Sequence, residues 1–341
     1  MYRTLIVILN WNGSNDSIDC IKSLYDLDDC EYDILLIDNA SKSEQLHLLE
    51  EYFSFNFNVI NESFLSKKLE SFYINDLIEY QHPELKAKIY FAKSLVNHGF
   101  AKGCNIGVKI ANEIGYENTL LLNNDTVVEP NFLTKMLGSL LHSDAVIPQI
   151  RFYEPKNRIW NCGGSINKFG KRKYFFNGKN VDSLINNNED FNVTFATGCC
   201  LLLKTKKFID IGLFSEKFFF GEEDIDFSLR MLKENWNVVC NPTSIIYHKV
   251  GASLSGDEEK QLRKACVHYL NRFINMKKHL GLLWIIWLLP ASLKMITNLI
   301  KINKIKFSYA IKLSLKIIYK SFKLDGVAKE LFEDIIFNGT I

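Results

Sequence analysis

The chain has 341 residues, with 41 Lys+Arg against 39 Asp+Glu, 47% hydrophobic residues and 23% charged. That length suits one large domain with an appendage, and the composition excludes disordered and fibrous classes. The net charge of +2 hides a split: residues 1–259 carry 26 basic and 35 acidic side chains, net −9, whereas residues 260–324 carry 14 basic ones and no acid, the pattern of an acidic body with a basic tail that faces an anionic partner.

Residues 4–9 read as a buried strand, 14–27 as a helix, 32–37 as a second strand, and 88–96 and 118–122 as two more. Short apolar strands separated by helices indicate a parallel α/β sheet. Ligands bind such sheets beyond the carboxyl ends of the strands. Polar residues gather there: Asn10 and Asn12, then Asp38 and Asn39, then Asn97 with Gly99 and Phe100, then Asn123, Asn124 and Asp125. Residues from about 53 to 88 mix Asn, Ser, Glu and Lys with aromatics and are predicted to form a helical insertion. Residues 150–195, with Trp160 and several glycines, read as short strands and loops suited to cover an acceptor site. Residues 223–235 read as a helix with Ile225, Leu229 and Leu232 on one face. Residues 237–247 read as a last strand, ending at His248.

A tail follows from about residue 261. Residues 280–293 are strongly apolar, with Trp284 and Trp287, but Lys294 interrupts a run already shorter than the ~20 residues of a bilayer span. Farther on, Lys312, Lys316, Lys320 and Lys323 share one helical face, and Ile311, Leu315, Ile318 and Phe322 share another. Such a helix either packs on the protein's own core with a solvated lysine face or lies in the headgroup region of an anionic membrane. Two adjacent segments of this kind favour the membrane surface. The eight cysteines form no C-x-x-C pair, so they read as reduced, buried thiols of a cytoplasmic protein rather than a zinc site or disulfide framework. The opening apolar run is too short for a signal peptide.

Three places suggest chemistry. Asp125, after an apolar strand, either holds a divalent cation against a diphosphate or shapes a turn. Asp38 either accepts hydrogen bonds from a nucleobase or ribose or caps the following helix. The sharpest feature is Phe218-Phe219-Phe220-Gly221-Glu222-Glu223-Asp224-Ile225-Asp226, four carboxylates within five residues after three phenylalanines. A helix dipole accounts for one or two acids there. Crowding and partial burial would raise their pKa values towards the range a general base needs. His248 is either a metal or diphosphate ligand or a structural histidine.

Taken in order, these segments resemble family 2 of the inverting glycosyltransferases, closest to rhamnosyltransferase-like bacterial members that build surface polysaccharides. The matching stretches run from Val7 to Gly13, Ile37 to Ser41, Asn97 to Gly107, Leu122 to Thr126, Gly212 to Arg230, and Pro242 through His248 to Ser253. The resemblance implies a GT-A fold, a Rossmann-like mixed sheet flanked by helices, over residues 1–260. A basic amphipathic helical extension follows over 261–341. It implies a nucleoside-diphosphate sugar donor (dTDP- or UDP-linked) and a glycan or lipid-linked acceptor. Nucleic acid is the other anionic partner a basic tail suits, but Trp284, Trp287 and the apolar run fit lipid better, so no nucleic-acid partner is expected. The reduced cysteines and the basic amphipathic tail together place the expected location at the cytoplasmic face of the cell membrane.

The resemblance also implies roles. Asp38 contacts the nucleobase, and Asn10, Asn12, Asn124 and the stretch from Asn97 through Gly99 and Phe100 to Asn105 line the nucleotide pocket. Thr197, Gly198 and Trp160 bound the donor or acceptor pocket. Asp224 is the catalytic base, with Glu223 and Asp226 beside it. Asp125 is the last acid of an Asp-x-Asp motif and, with His248, a ligand of Mn2+ or Mg2+. The first acid of that motif is Asn123 here, which leaves metal dependence open. Two rivals stand beside this reading. A nucleotidyltransferase would show a Gly-rich basic phosphate loop near the N-terminus, which residues 9–13 lack. A non-catalytic nucleotide-sugar-binding or membrane-binding module would have no use for both Asp125 and the Glu223–Asp224 pair.

Overall fold

A computed structural model describes residues 3–28, 30–61, 74–184, 186–250 and 258–341. The chain runs β1 (Thr4–Asn10), α1 (Ser14–Ser23), β2 (Tyr32–Asp38), α2 (Ser43–Asn56), β3 (Asn58–Asn61), β4 (Ile74–Gln81), β5 (Lys88–Ser94), α3 (Gly99–Ile114), β6 (Asn118–Asn123), β7 (Thr126–Val128), α4 (Phe132–Leu140) and β8 (Ala145–Phe152). Short strands β9 (Ile159–Asn161), β10 (Gly164–Ile166), β11 (Arg172–Tyr174) and β12 (Phe191–Asn192) follow. Then come β13 (Cys200–Lys204), α5 (Thr205–Asp210), α6 (Glu223–Lys233) and β14 (Val238–His248). Four helices close the chain: α7 (Glu258–Leu280), α8 (Leu283–Lys301), α9 (Phe307–Lys323) and α10 (Lys329–Glu333), the last continued by a π-turn, Asp334–Asn338.

The main sheet has the order β12-β14-β8-β13-β6-β1-β2-β5-β4-β3. Strands β6, β1, β2 and β5 are mutually parallel. Strand β13 runs antiparallel between β6 and β8. The central strands read as unbroken apolar runs because both of their faces are covered. From β1, Leu5 and Val7 join a core with Ile106, Ile110, Phe208 and Phe227, while Ile6 and Ile8 join Cys20, Ile21, Phe132 and Met136 on the opposite face. No disulfide links the eight cysteines.

The expected helical insertion over 53–88 is not built that way. Helix α2 ends at Asn56, and β3 and β4 then pair antiparallel, with β4 also antiparallel to β5. Strand β3 is the edge of the sheet and its four residues are exposed, which suits its asparagines; β4, between β3 and β5, sets polar residues among the buried Ile74, Leu77 and Tyr80. Residues 62–73 of that stretch lie outside the described residues, as do Gly251, Ala252 and Ser253 at the end of the sequence resemblance.

Helices α7, α8 and α9 share a third core that includes Leu270, Phe273, Trp284, Met295, Leu299 and Ile317. Helix α8 continues through Lys294 for 19 residues, and among the described residues it is the one long and apolar enough to cross a membrane by length and composition. Helix α9 buries Ala310, Leu313, Ser314, Ile317 and Ser321 against the protein. Leu315 and Phe322, on the apolar face read from the sequence, remain 63% and 54% exposed.

Candidate functional site

A cavity of about 570 Å3 lies beyond the carboxyl ends of the parallel strands, and Trp11, Asn39, Asn97, Asn124, Asp125 and His248 reach its wall. Beneath it a polar network ties the loops together. Asn10 Nδ2 donates to Asp38 Oδ1 at 2.8 Å and to Ser41 Oγ at 3.1 Å, while its Oδ1 accepts from Ser17 Oγ at 2.9 Å. Asp38 Oδ2 accepts from the Ser41 backbone N–H at 3.0 Å. Asn12 Oδ1 accepts from the Lys42 N–H at 2.8 Å, and Asn124 Nδ2 donates to Gly13 O and Ser17 Oγ. Asn10 and Asp38 are both buried and bind each other. The sequence reading put them in the nucleotide pocket; the structure puts them under its floor, where they fix the β1 and β2 loops.

Asn39, which the sequence reading left without a role, occupies the position next to Asp38 at the cavity wall. Its Nδ2 donates to Asn97 Oδ1 at 3.0 Å and Gly99 O at 3.2 Å, and its Oδ1 accepts from the His98 N–H at 2.9 Å. That clamp holds the start of α3, where Gly99 has φ +76°. Gly99 and Phe100 both line the cavity. Asn105 does not belong there. It is buried, and its amide donates to Phe214 O at 2.9 Å while its Oδ1 accepts from the Phe214 N–H at 2.9 Å. Its hydrogen-bonding capacity is spent joining α3 to the turn before the acidic segment, which corrects its placement among the nucleotide contacts.

At the cavity floor Asp125, in the β6–β7 turn, and His248, the last residue of β14, form an ion pair of 3.0 Å between Oδ1 and Nε2. Register brings them together: His248 pairs with Thr126 across the β7–β14 ladder. Burial favours the neutral imidazole, but Cys199 and Asp125 outweigh it and lift the His248 pKa to about 10. The Trp160 ring stands edge-on to His248, with centroids 4.5 Å apart. Thr197 is buried and its Oγ1 accepts from the Cys199 N–H, while Gly198 packs on the Phe100 ring.

The acidic segment divides by environment. Asp226 has no exposed side chain; its Oδ1 receives Lys278 Nζ at 2.8 Å and faces His279 Nε2 at 2.9 Å, and its Oδ2 receives Arg230 Nε at 2.8 Å. Burial alone would raise its pKa, but His279, Arg230 and Lys278 hold it well below the usual carboxylate range. Arg230 in turn donates to Ile211 O and Leu213 O. Asp226, grouped with the catalytic acids from the sequence, is thus the anchor that fastens α6 to α7. Glu222 sits in left-handed backbone at φ +71°, buried against Arg272 at 3.5 Å and Asn275 Nδ2 at 3.1 Å.

Burial, with like charge from the adjacent acids, pushes the Glu223 and Asp224 carboxyls up. Arg172 opposes the rise at Asp224. Glu223 is enclosed, whereas Asp224 keeps partial exposure. None of Glu222, Glu223 and Asp224 lines the cavity; the wall on that side is Phe219 and Phe220. The segment 196–199 joins the two regions. The Ala196 N–H donates to Ser228 Oγ, which donates to Asp224 O at 2.7 Å, and Cys199 lies beside His248.

The family model described as glycosyl transferase family 2 matches residues 78–212. Over 174 residues, 47% of this chain, the sequence is 24% identical to the low-salt glycan biosynthesis hexosyltransferase Agl10 of Haloferax volcanii. The chain spans about half the length of that relative, 52%. A crystal structure of GalNAc-T7 with UDP, GalNAc and Mn2+ superposes with a TM-score of 0.57 at 14% identity, over 98% of this chain and 56% of that one. The mannosyltransferase PcManGT from Pyrobaculum calidifontis, in complex with GDP-Man and Mn2+, gives 0.52 at 11% identity, over 94% and 75%. The fold expected from the sequence, the mixed α/β sheet of GT-A glycosyltransferases, is the one found.

Proposed function

We propose that this chain is an inverting hexosyltransferase that moves a sugar from a nucleoside diphosphate to an acceptor hydroxyl. The observation that carries the reading is the Asp125–His248 pair at the floor of a cavity beyond parallel strand ends, in a GT-A chain whose middle matches a family 2 model. Donor and acceptor enter from opposite sides and meet over Thr197 and Gly198. The nucleotide lies on the Asn39 and Asn97 side. The acceptor comes to Asp224 from the side of Arg172.

Asp224 accepts the proton of the acceptor hydroxyl. The freed oxygen electron pair attacks the anomeric carbon, the bond to the diphosphate oxygen breaks, and the diphosphate leaves with that electron pair, so configuration inverts. The raised Asp224 pKa suits this step, because a base poised nearer neutrality holds the proton better once it is taken. Asp125 offers an oxygen donor, and His248 would offer a nitrogen donor only after giving up the proton it shares with Asp125, a set that Mn2+ accepts with release of that proton. Among the described residues no group of three His, Cys, Asp or Glu side chains could hold a metal ion by itself, so diphosphate and water would complete the coordination. Such a cation, when bound, would stabilise charge on the leaving diphosphate.

The donor class is a dTDP- or UDP-hexose, including the rhamnosyl donors of the resembling members, and the acceptor is a glycan or lipid-linked saccharide of surface polysaccharide synthesis. Leu282, Ile286 and Leu289, exposed at 88%, 74% and 70%, with the outward lysines of α9, seat residues 261–341 on the cytoplasmic face of an anionic membrane. Transfer from labelled donors tests the function. Asp224→Asn abolishes turnover while nucleotide binding persists; wild-type turnover in that variant refutes the assignment.

A further inference from the structure

The cavity wall has a component from the far end of the chain. After α9 the backbone turns back onto the acidic segment. The Val327 N–H donates to Lys217 O at 2.8 Å, the Phe219 N–H donates to Val327 O at 2.9 Å, and Lys217 Nζ reaches Asp325 at 2.8 Å. The approach is close enough that a Cβ on Gly326 would lie 2.3 Å from Lys217 O. Phe219 O accepts in turn from the Phe100 N–H. Three chain segments therefore lie side by side at the mouth of the cavity, and the C-terminal one is bonded to the site itself.

The other end of this segment is also fixed. Arg263 on α7 donates to Ile336 O at 3.1 Å and Phe337 O at 2.7 Å, and Ile335 and Ile336 are buried in the helical core. Between these anchors Phe332, Glu333 and Phe337 face the cavity. The Phe332 ring lies 5.1 Å from that of Phe219 and 6.1 Å from that of Phe220. Among the described residues Glu333 has a long ion pair with Lys329, 3.9 Å, of a kind that contributes little at a surface. An aromatic ring and a carboxylate thus line the same cavity as Trp11, Asn39 and Asn97.

We propose that residues 329–338 form part of the donor site: Phe332 covers the nucleobase and Glu333 accepts hydrogen bonds from the ribose hydroxyls. This rests on the hexosyltransferase reading and assigns the donor side of it. A ring face binds any base by stacking, and a carboxylate with free lone pairs suits a diol. Phe332 and Glu333 are half-buried and Phe337 is exposed, so all three are accessible from the cavity they line.

The test is calorimetry of the full-length protein with UDP, GDP and dTDP in the presence of Mn2+, without acceptor. The wild type binds at least one of them. Phe332→Ala weakens that binding roughly ten- to hundredfold, Phe332→Tyr restores it, and Glu333→Gln weakens it for ribonucleotides more than for dTDP, which lacks the 2′-hydroxyl. In turnover the variants raise the donor KM and leave the acceptor KM unchanged. Unchanged nucleotide affinity in folded Phe332→Ala and Glu333→Gln overturns the proposal and leaves the hexosyltransferase reading intact. So does a rise confined to the acceptor KM. A wild type that binds no nucleotide overturns both.

Discussion

Gly99 stands so near Phe219 that a Cβ added to it would lie 2.2 Å from the Phe219 carbonyl oxygen, on backbone already at φ +76°. The start of α3 and the aromatic run before the acidic helix therefore meet main chain to main chain, with the Phe219 ring closing on the same position. Gly99→Ala combines left-handed strain of about 1–2 kcal/mol with a backbone collision that no rotamer relieves. The expected result is a lower urea midpoint together with weakened nucleotide binding, because Asn39 and Asn97 both bond the Gly99 peptide. A variant with unchanged midpoint and affinity contradicts this contact.

Asp226→Asn separates structure from catalysis. It leaves Lys278 and Arg230 facing an uncharged partner in a buried site, a loss of about 3–5 kcal/mol. Because the Asp226 pKa is lower folded than its ordinary 3.8, its contribution is fully present above that value. It is lost as pH falls through the lower, folded value. Chemical denaturation across pH 2–7 should show the variant destabilised near neutrality, with the gap to wild type narrowing in acid. A gap that widens in acid contradicts the anchor role.

Asp224 makes a different pH prediction. Burial raises its pKa, and a base must be ionised to act, so kcat falls on the acid side with a midpoint above the ordinary carboxylate range. Profiles measured with saturating donor check this. An acid limb at or below pH 4 argues for another base.

Asn105→Ala strips both hydrogen bonds from the Phe214 peptide, leaving a buried N–H and C=O unsatisfied. That costs about 1–3 kcal/mol for each group, read as a lower melting temperature. Nucleotide affinity at a temperature where the variant is folded should match wild type. A selective loss of affinity with stability intact would return Asn105 to the binding site.

Flotation with phosphatidylglycerol vesicles addresses the C-terminal helices. Reversing Lys312, Lys316 and Lys320 to Glu should weaken binding by at least about a hundredfold at low salt, since each lysine near an anionic surface contributes about 1 kcal/mol. The same variant on neutral vesicles should differ little. Equal binding to both lipids shows that the lysine face is merely solvated.

What the sequence disclosed depended on how local the physics was. Strands β1, β2 and β6 are buried on both faces, so their apolar runs were legible directly. Strand β3 lies at the sheet's edge with all four residues exposed, and β4, paired on both sides, sets Asp76, Glu79 and Gln81 among its buried Leu77 and Tyr80, so both resembled helix or loop. Asn105 stood inside a recognisable motif, yet its bonds go to a residue 109 positions away, which no local pattern records. Asn39 was one residue from a marked position and was overlooked for its charged neighbour. Phe332 and Glu333 lay in a tail read only for its lysines and apolar faces, and nothing in their spacing points back to Gly99 or Asn97.

Strand β13 lies between β6 and β8 although its residues, 200–204, come long after both. During synthesis the β6 edge formed by residues 118–122 must wait bare for some eighty residues before its neighbour exists, and an open edge of Leu120, Leu121 and Leu122 invites strangers. Fragments that stop short of residue 204 should therefore precipitate, and the folded state should emerge in one late closure rather than from the amino terminus onward.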